Sequence, residues 1–262
     1  MVEKRKCILL NRNTYVEVNL GHIRENVKKI IHAYPMYAYY FGVVKADCYG
    51  HQGMESIKAI IEGGCNYLAV ATLDEALSIR KSILDIPILC LGVIPSEVIS
   101  VAIENNITIT IPTLSYLKAV LPYFNPKVKV HLKLNTGMNR LGISSKEELN
   151  EVVLLLQQQD ILIEGIYTHI YQASVEENYR KQIKVFLELT SDIDLSQIPI
   201  VHISASEALS DYPKEQFVNG CRLGIIMYGF TEKKQLQLSS TFSLYSEVIQ
   251  INEVKKRRNC WI

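Results

Sequence analysis

Four short strings of this sequence put polar, chemically able side chains directly after apolar runs. The first is Val43-Val44-Lys45-Ala46-Asp47-Cys48-Tyr49-Gly50-His51. A lysine that ends an apolar strand sits where desolvation lowers its pKa and leaves the amine nucleophilic, as Schiff-base chemistry requires. A lone lysine here would more simply be one whose ammonium reaches out to water; the whole string argues against that. The second string is His131-Leu132-Lys133-Leu134-Asn135-Thr136-Gly137-Met138-Asn139-Arg140-Leu141-Gly142. Lys133 lies inside its apolar run, where an unpaired ammonium is costly, and Arg140 follows on a glycine-containing turn, placed to meet an anion. The alternative is a structural Lys/Arg pair with a carboxylate partner elsewhere. The third is Tyr167-Thr168-His169; taken alone, His169 reads more readily as a hydrogen-bonded core histidine. The fourth combines His202-Ile203-Ser204-Ala205-Ser206 with Cys221-Arg222-Leu223-Gly224-Ile225-Ile226-Met227-Tyr228-Gly229. Ser206 offers a hydroxyl, and Gly224 and Ile225 offer backbone amides that can approach a phosphate closely, although Gly224 could also mark a plain tight turn.

These strings need a frame that brings them together. The apolar runs are short, rich in Val, Ile and Leu, and separated by amphipathic stretches. After a strand near Thr14–Val18 and a helix near Leu20–His32, eight strands are expected. They lie near Ala38–Lys45, Tyr67–Ala71, Ile86–Leu91, Ile107–Ile111, Val128–Leu134, Ile161–Thr168, Pro199–Ile203 and Cys221–Met227. Helical patterns fall at Met54–Glu62, Leu73–Ser82, Pro95–Glu104, Thr113–Leu121, Lys146–Gln157 and Glu177–Leu187. Strand–helix alternation implies parallel pairing, and near-continuous apolar strands fit a sheet buried on both faces. Eight such units point to an α/β fold of the TIM (β/α)8 barrel type, with an open doubly wound sheet as the alternative. In a barrel, catalytic groups gather at the C-terminal ends of the strands, and a phosphate site forms after the last two. All four strings sit at strand ends.

The pattern changes after Phe230. Residues 1–232 read as the barrel domain. Residues 233–262 read as a linker followed by Ser243–Val254, one or two alternating strands resembling the first strand of a β-domain that does not follow.

Composition narrows the function classes. The 262 residues are 48% hydrophobic and 21% charged, with formal net charge +1, which gives no electrostatic case for nucleic acid or an acidic membrane surface. No apolar stretch is long enough to span a bilayer, and residues 1–13 do not form a signal peptide. Six cysteines, none in a C-x-x-C pair, read as buried free thiols in a reducing, cytoplasmic setting. No metal-ligand spacing stands out.

The strings Val-Val-Lys45-Ala-Asp-Cys-Tyr49-Gly-His, Leu-Asn-Thr-Gly-Met-Asn-Arg140-Leu-Gly, Thr-His169 and Arg222-Leu-Gly-Ile-Ile-Met-Tyr-Gly resemble the alanine racemase family of fold-type III enzymes, which depend on pyridoxal 5′-phosphate (PLP). The likeness runs from about Thr14 to Val254, in order and spacing. It implies that Lys45 carries PLP and serves as one base. It implies that Tyr49, Ser206, Gly224 and Ile225 bind the phosphate, that Arg222 faces the pyridine nitrogen, and that His169 lies by the ring. Arg140 would sit near the PLP phenolic oxygen and the substrate carboxylate. Lys133 matches a lysine often carbamylated in that family, where it orients the arginine. Because an arginine does not readily release its proton, the pyridine nitrogen would stay unprotonated, a weaker electron sink with fewer side reactions. The sequence departs from the family at Gln52, Asn135, Asn139 and Ala205, where Gly, Asp, Gly and Asn are usual.

Racemisation needs a base on each face of Cα. In the family the second is a tyrosine from the partner subunit's C-terminal β-domain. The terminal run Val254-Lys255-Lys256-Arg257-Arg258-Asn259-Cys260-Trp261-Ile262 stands where relatives commonly read Lys-Gly-Glu-x-Val-Gly-Tyr-Gly. A permissible coding of Lys255–Ile262, read one base later, gives Lys-Lys-Gly-Glu-Thr-Val-Gly and the start of a tyrosine codon. A one-base frameshift is therefore expected, with a native short basic terminus as the alternative. On that expectation the chain is weak or inactive and the family's homodimer is weakened or lost. Three functions remain in play: alanine racemisation supplying D-alanine for cell-wall peptidoglycan, racemisation of serine, ornithine or lysine, and PLP carriage or homeostasis without turnover.

Overall fold

The eight expected strands pair in the order in which they occur. The computed structural model describes residues 12–51, 53–231 and 234–253. Gln52, Cys7, Cys260 and residues 254–262, on which the reading-frame expectation rests, lie outside them. The elements run β1 (Tyr15–Val18), α1 (Leu20–Ala33), β2 (Tyr39–Val43), α2 (Lys45–Gly50), α3 (Gly53–Glu62), β3 (Tyr67–Val70), α4 (Leu73–Arg80) and β4 (Ile88–Cys90). They continue with α5 (Ile99–Glu104), β5 (Ile107–Ile111), α6 (Leu114–Val120), β6 (Lys129–Lys133), α7 (Lys146–Gln158), β7 (Leu162–Tyr167), α8 (Glu176–Leu189), β8 (Ile200–Ser204), α9 (Ser206–Asp211), β9 (Gly220–Leu223) and β10 (Phe242–Tyr245). Strands β2 to β9 form a closed parallel barrel, β9 pairing back onto β2 with Phe41 opposite Arg222. Closure removes the open-sheet alternative.

Two apolar layers explain why the strands close. Side chains alternate across each strand. Val130 and Leu132 of β6, Ile166 of β7, Val201 and Ile203 of β8, and Cys221 and Leu223 of β9 point outward into a large core shared with the helices. The inner face is different: Phe41, Val43, Tyr67, Ala69, Leu89, Tyr167 and Ile200 form a separate cluster inside the barrel. Between them lie buried polar side chains, His131, His202, Thr108, Thr110 and Arg222. The interior is therefore aromatic and polar rather than packed with branched aliphatics throughout.

Local signals set the helix starts. Thr72 and Glu75 form a reciprocal capping box at α4, and Thr113 and Ser145 cap α6 and α7 by accepting the Tyr116 and Glu148 amides. The four cysteines among the described residues, Cys48, Cys65, Cys90 and Cys221, are buried and unpaired.

Several boundaries differ from the sequence reading. The run Cys221–Met227 is not one strand: β9 ends at Leu223, and Ile225–Tyr228 form a 3₁₀ turn whose Ile226, Met227 and Tyr228 are buried. The apolar run looks strand-like only because both faces of the turn are covered. Helix α9 was not expected, and the Pro95–Glu104 pattern divides into a 3₁₀ turn, Ser96–Val98, and α5. After the barrel, β10 pairs antiparallel with β1, Tyr15 opposite Tyr245, as a separate two-stranded ribbon. The expected strand over Ser243–Val254 is thus shorter. The backbone ladder ends at Tyr15 opposite Tyr245; past it, Thr14 Oγ1 meets Ser246 Oγ at 2.8 Å and Asn13 Nδ2 donates to Glu247 Oε2 at 2.6 Å, and residues 246–253 hold no regular element. Among the described residues no helix is long and apolar enough to cross a membrane.

Candidate active site

At the C-terminal ends of the barrel strands lies a cavity of about 860 Å³, within the size range of small-molecule sites. All nine side chains or backbone positions singled out in the sequence line it: Lys45, Tyr49, Lys133, Arg140, His169, Ser206, Arg222, Gly224 and Ile225.

Lys45 follows β2 two residues after the inward-facing Val43, so the strand's alternation brings it to the barrel mouth. The chain then turns in an unusual way. Ala46, Asp47, Cys48 and Tyr49 all have left-handed backbone angles, φ 50 to 56°. For residues with a Cβ this conformation costs roughly 1–2 kcal/mol each, so other contacts must impose it. Glu75 accepts the Ala46 amide at 2.7 Å, Asp47 accepts the Gly53 amide at 2.7 Å, and the buried His51 ring holds the Cys48 carbonyl at 3.0 Å and the Thr241 hydroxyl at 2.8 Å. His51 also stacks on Tyr228, ring centroids 4.2 Å apart. The string after Lys45 is therefore a braced turn, and its product is the position of Tyr49.

Tyr49, Ser206 and Gly224 converge on one corner. The Gly224 amide donates to Ser206 Oγ at 3.1 Å. A methyl group on Gly224 would stand 3.2 Å from Tyr49 Oη and 3.4 Å from Ser206 Oγ. The corner thus offers two hydroxyls beside an open glycine, next to the start of the Ile225–Tyr228 turn. Such a cradle fits a phosphate group, which takes hydroxyl and amide donors around its oxygens.

Positive charge dominates the rest of the cavity. Arg222 is buried and both its terminal nitrogens are engaged: Nη1 donates to His202 Nδ1 and to the His202 carbonyl, both at 2.8 Å, and Nη2 to the Thr168 and Ile203 carbonyls at 2.7 and 3.2 Å, with His169 Nδ1 at 3.5 Å. Burial lowers its pKa to about 10, so it remains a cation at neutral pH. Lys133 donates to the Leu134 carbonyl at 2.9 Å and lies over the Tyr167 ring, 5.1 Å from its centroid. Burial, with Arg222 and Arg140 nearby, pulls its amine down to about 7. Burial and the charges of Arg222, Lys133, Arg140 and Lys45 push His169 down to about 3, so this imidazole is neutral. Arg140 is exposed at the mouth. The acidic side chains of Glu207 and Asp211 also line the cavity. The donor set suits a ligand with several anionic groups: a phosphate at the Tyr49–Ser206–Gly224 corner, a carboxylate near Arg140, and an aldehyde within reach of an amine. PLP has the first and last of these, and an amino acid has the second. Among the described residues no group of three or more His, Cys, Asp or Glu is placed to hold a metal ion.

Several structural partners of the site were not singled out from the sequence: Glu75, Asp47 and His51 at the turn, and His202, His131 and Tyr167 under Arg222. The available signal was the two-residue spacing of His131 with Lys133, and of His202 with Ser204, which puts each histidine on the inner face.

A family model described as "Alanine racemase, N-terminal domain" matches residues 18–232. Alanine racemase 1 of Bacillus subtilis (strain 168) is 34% identical over 255 residues, covering 94% of this chain. The chain spans 65% of that relative's length. Among solved structures, the alanine racemase of Clostridium difficile 630 in complex with cycloserine superposes with a TM-score of 0.84 at 31% identity, covering 93% of this chain and 70% of that one. A histidine racemase from Leuconostoc mesenteroides subsp. sake has a TM-score of 0.81 at 25% identity, covering 92% and 67%.

Proposed function

Because this chain belongs to the alanine racemase family, we propose that it is the cofactor-holding barrel of a PLP-dependent amino-acid racemase, acting on alanine in the cytoplasm to supply D-alanine for cell-wall peptidoglycan. One observation carries the reading: the Tyr49 and Ser206 hydroxyls converge on Gly224 in the same cavity as Lys45 and Arg222. Bound PLP supplies electron withdrawal that makes a substrate Cα–H acidic.

The roles divide by position. Lys45 is the covalent anchor and, when its amine is free, the base on one face of Cα. Tyr49, Ser206 and the Gly224 and Ile225 amides hold the phosphate. Arg222 would face the pyridine nitrogen and, as a donor that keeps its proton, would leave that nitrogen unprotonated. Neutral His169 packs beside the ring. Arg140 meets the substrate carboxylate, and Lys133, as an amine or as its carbamate, orients Arg140. A base on the opposite face of Cα is not among the roles given to the described residues. Partnership with a second copy follows from the same family reading.

The substrate is the open choice within the family. A histidine racemase shares the fold, so the side-chain specificity is tested rather than inherited. The PLP-loaded chain is incubated in D2O with each enantiomer of alanine, serine, lysine, ornithine and histidine. Cα deuterium uptake is read by NMR, and inversion by chiral chromatography. Uptake with alanine, lost in Lys45→Ala, is expected. Uptake with another amino acid only would move the substrate. Bound PLP with no uptake from any of them would contradict a racemase and favour a carrier.

A further inference from the structure

Beneath the cavity a line of buried side chains crosses the barrel interior. Arg222 Nη1 meets His202 Nδ1 at 2.8 Å, His202 Nε2 meets His131 Nδ1 at 2.9 Å, and His131 Nε2 meets Glu164 Oε2 at 3.2 Å. Both rings are fully buried. The same Glu164 oxygen accepts from Tyr67 Oη at 2.6 Å and from Thr108 Oγ1 at 3.0 Å, and the other faces Lys129 Nζ at 3.4 Å.

The two ends dictate how protons are ordered along this line. A guanidinium only donates and a carboxylate only accepts. Since Arg222 donates to His202 Nδ1, that nitrogen carries no proton, and His202 must carry its proton on Nε2. That proton points at His131 Nδ1, which must accept, so His131 too carries its proton on Nε2. This last proton points at Glu164, an acceptor. The order imposed from the arginine arrives at the carboxylate without a conflicting link. A second proton on either ring would set two donors face to face.

The sequence builds space and orientation for this line. Gly165 makes room for the His131 ring, since a methyl group there would lie 2.5 Å from it. His202 is clamped between Phe41 and Tyr167, ring centroids 4.5 and 4.6 Å away and nearly parallel. The β6–β7 register slips between Val130 and His131, so that Glu164 is passed over in the pairing. Such irregularities re-aim side chains, and here the carboxylate is turned to His131.

We propose that Glu164 is a positioning residue for the cofactor ring nitrogen, acting through His131 and His202 to lock the donor pattern and orientation of Arg222. The proposal rests on the PLP reading above. The carboxylate does not touch the cofactor. It fixes the last acceptor of an ordered line, so that Arg222 Nη1 is committed to His202 and the guanidinium is held where it lines the cavity. Burial keeps both histidines neutral, consistent with that order.

The test has two arms, each on the full chain. With histidine labelled in 15N, two-bond 15N–1H correlation reads the tautomers without PLP. Both His131 and His202 are expected as neutral Nε2–H forms. Glu164→Gln keeps an acceptor for His131 and is expected to keep that order, whereas Glu164→Leu removes it and is expected to lose it. With PLP labelled at the ring nitrogen, Glu164→Leu is expected to move the 15N resonance downfield, towards a nitrogen that has lost a hydrogen bond, and Glu164→Gln to leave it near the wild-type position. A wild-type His202 protonated on Nδ1 overturns the proposal even if the Leu variant fails to fold. So does a folded Leu variant with wild-type tautomers and ring-nitrogen resonance. If PLP does not attach to the wild-type chain, the cofactor reading itself falls, an outcome distinct from PLP attached over the wrong tautomers.

Discussion

The Glu75 carboxylate accepts the Ala46 amide at 2.7 Å, one residue beyond Lys45, and through its other oxygen the Ala71 amide at 2.7 Å and the Thr72 amide at 3.3 Å. One side chain thus ties the left-handed turn after β2 to the start of α4. Glu75→Ala strips three amides of their acceptor. Lost caps of this kind cost about 1 kcal/mol each, so the urea unfolding free energy is expected to fall by about 2–3 kcal/mol. The folded fraction is expected to take up PLP more slowly, because the turn that presents Lys45 and Tyr49 is loosened. Wild-type stability and uptake would contradict the bracing role.

Gly224→Ala fills the corner between Tyr49 and Ser206. The thermal midpoint is expected to stay close to wild type, since the added methyl meets only two hydroxyl-bearing side chains. PLP affinity, measured by fluorescence titration, is expected to drop about tenfold, the equivalent of 1.4 kcal/mol. Unchanged affinity would place the phosphate elsewhere.

Lys133 makes a pH-dependent prediction. Its folded pKa of about 7 lies below the ordinary 10.5. Between those values the unfolded chain holds a proton that the folded chain does not, so stability from this group rises with pH across that window, and the full penalty applies below pH 7. The neutral amine can also add CO2, releasing one proton and forming a carbamate that Arg222 and Arg140 would stabilise. Carbon-13 bicarbonate is expected to give a carbamate NMR signal that grows above pH 7 and is absent in Lys133→Met. A signal that survives the substitution would refute the assignment.

His169 makes the converse test on the acid side. Its folded pKa is about 3 against an ordinary 6.5, and buried His202 is also held below its ordinary value. As pH falls from 6.5, the unfolded chain takes up protons that the folded chain refuses, and stability is lost. The urea midpoint is expected to fall between pH 7 and pH 5, less steeply in His169→Gln. A flat midpoint would mean these rings are not held neutral.

The barrel was readable because its outward-facing strand residues are Val, Ile and Leu, and its helices start at capping residues such as Thr72, Thr113 and Ser145. The nine positions that line the cavity were legible in part because their strings follow strand ends; Tyr49 and Arg222 were picked out by the family resemblance. The turn after Lys45 was not: Ala46-Asp47-Cys48-Tyr49 contains no glycine, and its left-handed backbone is imposed by Glu75, Gly53 and Thr241, which are distant in sequence or unremarkable in type. The Ile225-Ile226-Met227 run reads as strand because burial of a 3₁₀ turn leaves the same apolar signature. The order running from Arg222 to Glu164 depends on four strands meeting inside a closed barrel, and no single stretch of sequence records it.

The account turns on Lys45 as the attachment point of PLP. The chain is incubated with PLP, reduced with borohydride, digested, and the peptides are read by mass spectrometry. The account predicts one phosphopyridoxyl group, on Lys45, and none at Lys133; Lys45→Ala is expected to carry none. Modification spread over surface lysines, or a stable adduct in Lys45→Ala equal to wild type, would contradict it.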